Sequence, residues 1–94
     1  MPSFPPIAGF PEASVETVRA AQARLRGHLN RTPIHRSRTF DVLAGAQVHL
    51  KCENFQRSGS FKARGAFNTV LSLDDASATR GVAAHSSGNH GAAL

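Results

Sequence analysis

Neither tryptophan nor tyrosine occurs in the 94-residue sequence, and cysteine and methionine occur once each. A single thiol, Cys52, excludes an internal disulfide and any multi-cysteine metal module, so no metal ligands are assigned. It also points to a reducing, cytoplasmic setting. No apolar stretch approaches the roughly 18 residues of a membrane-crossing helix, so no membrane partner is expected. The opening residues, MPSFPPIAGFPEAS, lack the basic start and apolar stretch of a secretory signal. Acidic residues number only 6 against 11 lysines and arginines, for a net charge of +5. Six of these cations fall in one stretch: Arg19, Arg24, Arg26, Arg31, Arg36 and Arg38. Such a cluster suits phosphates, and a small basic nucleic-acid-binding module is therefore the reading of a different class. No aromatic residue interleaves with those arginines to stack bases, which makes a solvated helix face and loop the simpler account. The spacings of a P-loop and of a dinucleotide fingerprint are both missing.

What is present suits a modest core, with 40% hydrophobic residues. Residues 1–13 hold Pro2, Pro5, Pro6 and Pro11 and read as an extended arm. Ser14 is a good N-cap, and Val15, Val18, Ala21, Gln22 and Leu25 follow at mostly helical spacing, predicting a helix over 14–26 before Gly27. Asn30-Arg31-Thr32-Pro33 predicts a turn into an extended segment. A short helix is expected over 39–44, ended by Gly45. In 47–53, Val48, Leu50 and Cys52 alternate with His49, Lys51 and Glu53, the period of a strand. A loop over 54–60 leads to a helix capped by Ser60, with Ala63, Ala66, Phe67, Val70 and Leu71 on its apolar face. Residues 74–77 read as a connection. Gly81–Ser86 reads as a buried parallel strand, and a turn over 87–91 opens a last helix. The order predicts an α/β fold with a parallel sheet and a right-handed crossover. Two strands do not make a covered sheet, so residues 14–94 are expected to be the N-terminal part of a larger catalytic domain.

In open α/β sheets, ligands sit at the carboxyl ends of strands. Two loops leave such ends, 54–60 and 86–91. The first delivers Lys62 into a helix start, where the partial positive charge disfavours an ammonium, and Arg64 is near. A neutral amine condenses with a carbonyl to form a Schiff base. Taken locally, a solvent-exposed lysine at a helix start explains Lys62 as simply. The second loop crowds Ser86, Ser87, Asn89 and His90 together with Gly88 and Gly91. Its glycines let backbone approach a ligand, and Asn89 can donate to a phenolate-like oxygen. Capping alone accounts for two of these polar residues.

Ser60-Phe61-Lys62-Ala63-Arg64-Gly65-Ala66, preceded by Lys51-Cys52-Glu53-Asn54-Phe55-Gln56, resembles the cofactor-lysine segment of fold type II pyridoxal-phosphate enzymes. The match is to the serine/threonine dehydratase and serine racemase family. His85-Ser86-Ser87-Gly88-Asn89-His90-Gly91 resembles that family's second active-site loop, and Arg31-Thr32-Pro33 its N-terminal segment. The resemblance implies a partial open parallel sheet of the tryptophan-synthase-beta-like kind, incomplete over these residues. It implies that Lys62 holds pyridoxal 5'-phosphate covalently, that Phe61 lies against the ring and that Asn89 bonds the phenolic oxygen. Ser86, Asn89 and His90 would hold the carboxylate of a small amino-acid substrate, and Lys62 would move the Cα proton.

The implied activity is a dehydratase (ammonia-lyase) acting on L-serine or L-threonine, giving a 2-keto acid and ammonia. Ser87 stands where the racemases carry a serine facing the lysine across the cofactor plane, so a serine racemase-type activity is the alternative. The phosphate-binding loop and any divalent cation site would lie outside this chain. The full-length enzyme would be a homo-oligomer, and the isolated 94 residues could be an inactive fragment.

Overall fold

The computed structural model describes residues 13–94. The proline-rich arm lies outside the described residues except for its last position. Helix α1, Val15–Leu25, begins with a reciprocal cap. The Ser14 hydroxyl accepts from the Thr17 N–H at 3.1 Å, and the Thr17 hydroxyl accepts from the Ser14 N–H at 3.0 Å. Such a box satisfies two donors that a helix start leaves unpaired.

Strand β1, Ile34–Arg36, leads into helix α2, Arg38–Ala44, and then into strand β2, His49–Lys51. Gly45 ends α2 in the left-handed region (φ 65°), a conformation that glycine adopts without strain. The strands pair antiparallel, with His35 opposite Leu50. Asp41 on α2 fixes this return. Its carboxylate accepts from the Val48 N–H at 2.7 Å and pairs with Arg36 at 2.5 Å. The Val48 N–H first, then the Arg36 guanidinium, holds the Asp41 carboxyl below its ordinary range. Alternation in 47–53 is visible as burial: Val48, Leu50 and Cys52 are half-buried while His49 and Lys51 are exposed.

The expected parallel neighbour is corrected in its detail. Residues 81–86 are irregular and carry no strand ladder. A ladder needs a partner alongside, and among the described residues β2 has β1 for its neighbour. A second correction concerns 74–77. They do not form a plain connection but begin helix α4, Asp75–Arg80, where Asp74 accepts from the Ser77 N–H at 2.7 Å.

Helix α3, Lys62–Leu71, is the centre of the structure. Its Ala63 and Ala66 are the fully buried apolar residues, and small side chains there let neighbouring backbone come close. Helix α1 lies on one side, joined by a 2.5 Å hydrogen bond from Arg24 to Asn68, and helix α5, Asn89–Ala93, packs on the other. The N-cap position of α3 is Phe61 rather than Ser60, and Phe61 makes no side-chain cap. The Ser60 hydroxyl reaches the Lys62 N–H only at 3.4 Å. Among the described residues no helix is long and apolar enough to cross a membrane. Val42 and Leu43 on α2 remain 81% and 78% exposed.

Candidate active site

The stretch from Lys51 to Arg64 carries α3 on a polar clamp. Single helical turns at Glu53–Phe55 and Arg57–Gly59 fold it back on itself. Ser58 (φ 59°) and Gly59 (φ 76°) both take left-handed conformations, which make the tight reversal before Ser60. Gln56 is only 4% exposed. Its amide grips the backbone of Asn30 twice: Oε1 accepts from the Asn30 N–H and Nε2 donates to the Asn30 carbonyl, both at 2.9 Å. The Asn30 side chain donates back to the Phe55 carbonyl at 3.2 Å. Thr32, also 4% exposed, donates its hydroxyl to Glu53 at 2.6 Å, and Lys51 Nζ donates to the Thr32 carbonyl at 2.7 Å. Buried polar groups are tolerated when bonded in this way.

Glu53 is the junction. Arg64 on α3 pairs with it through Nε, and through Nη2 at 3.0 Å. The Arg64 guanidinium foremost, with the Thr32 and Gln56 side chains behind it, outweighs desolvation and holds the Glu53 carboxyl down at about 2, against an ordinary 4.5. Because the folded value is depressed, the stabilisation is complete above the ordinary range. It is lost as pH falls from about 4.5 towards about 2. After allowance for solvent screening, acid titration of stability should show roughly 1–2 kcal/mol from this group. Glu53→Gln should remove that slope; an unchanged acid limb in the variant would contradict the assignment.

Lys62 is the first residue of α3 and is exposed, as the simpler local reading of a lysine at a helix start expects. Arg64, the nearby cation, is neutralised by Glu53. The Lys62 ammonium nitrogen lies 5.7 Å from the centre of the Phe61 ring. Both residues line an open cleft of about 340 Å³, whose far wall is His90. Thus Lys62 and His90, 28 residues apart in sequence, meet across one space because α5 packs on α3 and on the turn 57–59.

Gly91 lets the 86–91 turn close on itself: a Cβ there would stand 3.3 Å from the Ser86 Cβ. The Ser86 hydroxyl accepts from the Gly88 N–H at 3.2 Å, within the turn that opens α5. Ser87 precedes that turn's glycine and Asn89 begins α5 beside His90. Ser86, Ser87 and Asn89 are not among the residues lining the cleft. Gly65, Ala66 and Thr69 are, and sequence reasoning passed over them as cleft residues. Their signal was available, since they follow Lys62 at three, four and seven positions, one helical stripe of small side chains.

Two of the six clustered arginines are engaged within the fold, Arg24 bonding Asn68 and Arg36 bonding Asp41. Among the described residues no group of three His, Cys, Asp or Glu side chains is placed to hold a metal ion.

Comparison with solved structures places this arrangement. The chain superposes on maize serine racemase with a TM-score of 0.74 and 45% identity, covering 83% of this chain and 24% of that one. The fold is that of the fold type II pyridoxal-phosphate enzymes, represented here by a part. Residues 25–94 match the model of the pyridoxal-phosphate dependent enzymes, and the chain belongs to that family. It is 54% identical over 79 residues to beta-hydroxyaspartate dehydratase from Paracoccus denitrificans (84% of this chain, 25% of the relative). It is 56% identical over 75 residues to L-threo-3-hydroxyaspartate ammonia-lyase from a Pseudomonas species (80% and 23%). The chain therefore spans about a quarter of the length of the curated relatives it matches.

The residues present fit the cofactor of this family. A primary amine suits its aldehyde, and Lys62 offers one at the edge of a cleft large enough for a flat ring. Phe61 supplies an aromatic face beside that amine. The small stripe of Gly65, Ala66 and Thr69 keeps the space open.

Proposed function

We propose that this chain carries the cofactor lysine of a pyridoxal-phosphate dependent ammonia-lyase for hydroxy amino acids. The single observation that supports it best is the shared cleft of Lys62, Phe61 and His90 at the start of α3. The bound cofactor supplies an electron sink for charge developing at the substrate's Cα. Lys62 Nζ would hold the cofactor, and the same amine would take the proton from the substrate's Cα. Phe61 would lie against the ring. Asn89 would donate its amide to the cofactor's phenolic oxygen. Ser86, already accepting from the Gly88 N–H, keeps its own proton to give to a substrate carboxylate, with Asn89 and His90 as the other donors. The net reaction converts a 3-hydroxy amino acid to a 2-keto acid and ammonia.

The relatives named for 3-hydroxyaspartate make that substrate the first to test, with L-threonine and L-serine beside it. The full-length enzyme, supplied with cofactor, should release ammonia and keto acid in equal amounts from at least one of the three. No release from any of them would overturn the reading. One residue favours a second activity. Ser87 carries a hydroxyl beside Ser86 in the second loop, and serine racemases are among the relatives. Ser87→Ala should lower racemisation about tenfold or more while elimination changes by less than about threefold, as for loss of one acid–base group. Chiral chromatography of the remaining amino acid reads the difference.

A further inference from the structure

Glu53 is not among the residues lining the Lys62 cleft, yet its carboxylate joins the three segments that carry the site. Oε2 accepts from the Thr32 hydroxyl at 2.6 Å and from Arg64 Nη2 at 3.0 Å, while Oε1 accepts from Arg64 Nε. Arg64 stands two positions beyond Lys62 on α3. A helix turns about 100° per residue, so the two side chains leave its first turn in different directions, and Arg64, held by Glu53, forms part of the wall of the same cleft. The start of α3 has no side-chain cap of its own at Phe61, and the Ser60 hydroxyl approaches the Lys62 N–H no closer than 3.4 Å. The grip of Glu53 on Arg64 therefore ties the rotation of this turn to the segment that carries Thr32. Thr32 makes that grip directional. It is 4% exposed, its hydroxyl takes one carboxylate oxygen, and its carbonyl is held by Lys51 at 2.7 Å.

We propose that Glu53, oriented by Thr32, is a positioning residue for Lys62: through Arg64 it sets the rotation of the first turn of α3 and so the direction from which Nζ meets its partner. This rests on the reading of Lys62 as the cofactor-bearing amine. The consequence is a split between binding and turnover. A misrotated amine still condenses with an aldehyde, but proton transfer at Cα depends on alignment, where displacements on the order of 1 Å cost up to about a hundredfold.

The test uses the full-length holoenzyme and keeps the cleft residues untouched. Thr32→Val removes the hydroxyl at constant size, Thr32→Ser keeps it, and Glu53→Gln removes the charge. Thr32→Val should lower kcat about tenfold with KM within about twofold, the pattern of lost alignment. It should reduce the visible circular dichroism of the bound cofactor by about half, because that signal reports how rigidly a flat chromophore is oriented. In the cofactor-free enzyme, amide exchange over 62–66 should quicken. Thr32→Ser should restore all three readouts, and Glu53→Gln should change them in the same direction as Thr32→Val and further. If Thr32→Val and Glu53→Gln leave kcat and the dichroism unchanged and lower only the denaturation midpoint, the positioning role is overturned. Borohydride reduction and peptide mapping of the parent enzyme separate the two levels. A label on Lys62 together with unchanged dichroism in the variants defeats the positioning role alone, whereas a label on another lysine defeats both.

Discussion

Lys62→Ala in the full-length enzyme should lower kcat/KM by roughly a thousandfold or more, because on the proposed reading one substitution removes both the covalent anchor and the proton carrier. The fold should survive it. Lys62 is exposed at the first position of α3, and alanine is the best helix former, so the change costs about zero in helix propensity. Borohydride followed by peptide mass mapping should label the Lys62 peptide of the parent and leave the variant unlabelled. Equal labelling of parent and variant would sink the assignment. A matched denaturation midpoint distinguishes lost chemistry from lost structure. Lys62→Arg is the sharper companion: it keeps the charge beside the Phe61 ring, 5.7 Å from the amine in the parent, but does not form a Schiff base at neutral pH. It should be as inactive as the alanine variant.

The largest stability effect is expected at Gln56. Its side chain is 4% exposed and makes three bonds to backbone, two to Asn30 at 2.9 Å and one from the Arg57 N–H at 3.0 Å. Gln56→Leu keeps the volume and strips these partners, leaving polar backbone facing an apolar group. Leaving buried donors and acceptors unsatisfied costs about 1–3 kcal/mol each, and some rehydration of the exposed Asn30 lowers the sum, so a loss of about 2–3 kcal/mol is expected. Gln56→Glu keeps the acceptor for the Asn30 and Arg57 N–H groups but loses the donor to the Asn30 carbonyl. It also places a second carboxylate near Glu53. It should fall between the parent and the leucine variant at pH 5 and approach the leucine variant at pH 8. Urea titration of the full-length enzyme gives the order, and a leucine variant as stable as the parent would show that the clamp contributes nothing.

The elements legible in the sequence are those written in neighbouring residues. Ser14 with Thr17 is a complete helix start within four positions, and Ser37 with Gly45 brackets α2 in the same local way. Strand pairing is not local. The run 47–53 shows its period, but nothing within it says whether its neighbour is 34–36 or 81–86, and the three exposed residues of β1 carry no alternation at all. Helix α4 escaped notice because its six residues, DASATR, have no apolar stripe, although Asp74 and Gly81 marked both ends.

Much the same division holds for the candidate site. Lys62 and His90 were identifiable by chemistry and by the resemblance of their loops, and packing of α5 on α3 brings them to one cleft. Thr32 and Gln56 stand in segments that carry the resemblance, but nothing near them in sequence gives either a buried partner. Their burial depends on partners that lie 21 and 26 residues away, which no local pattern announces.

Those same spans bear on how the protein is made. The bonds that seat α3 close loops of 26, 21 and 11 residues, so every partner has left the ribosome soon after Arg64 emerges. Closing loops of this size is cheap in chain entropy, and such short-range assembly is fast. The lysine's cradle is therefore built early in translation. Val42 and Leu43 stand uncovered on α2, and a nascent chain that presents them should be a ready client for chaperones.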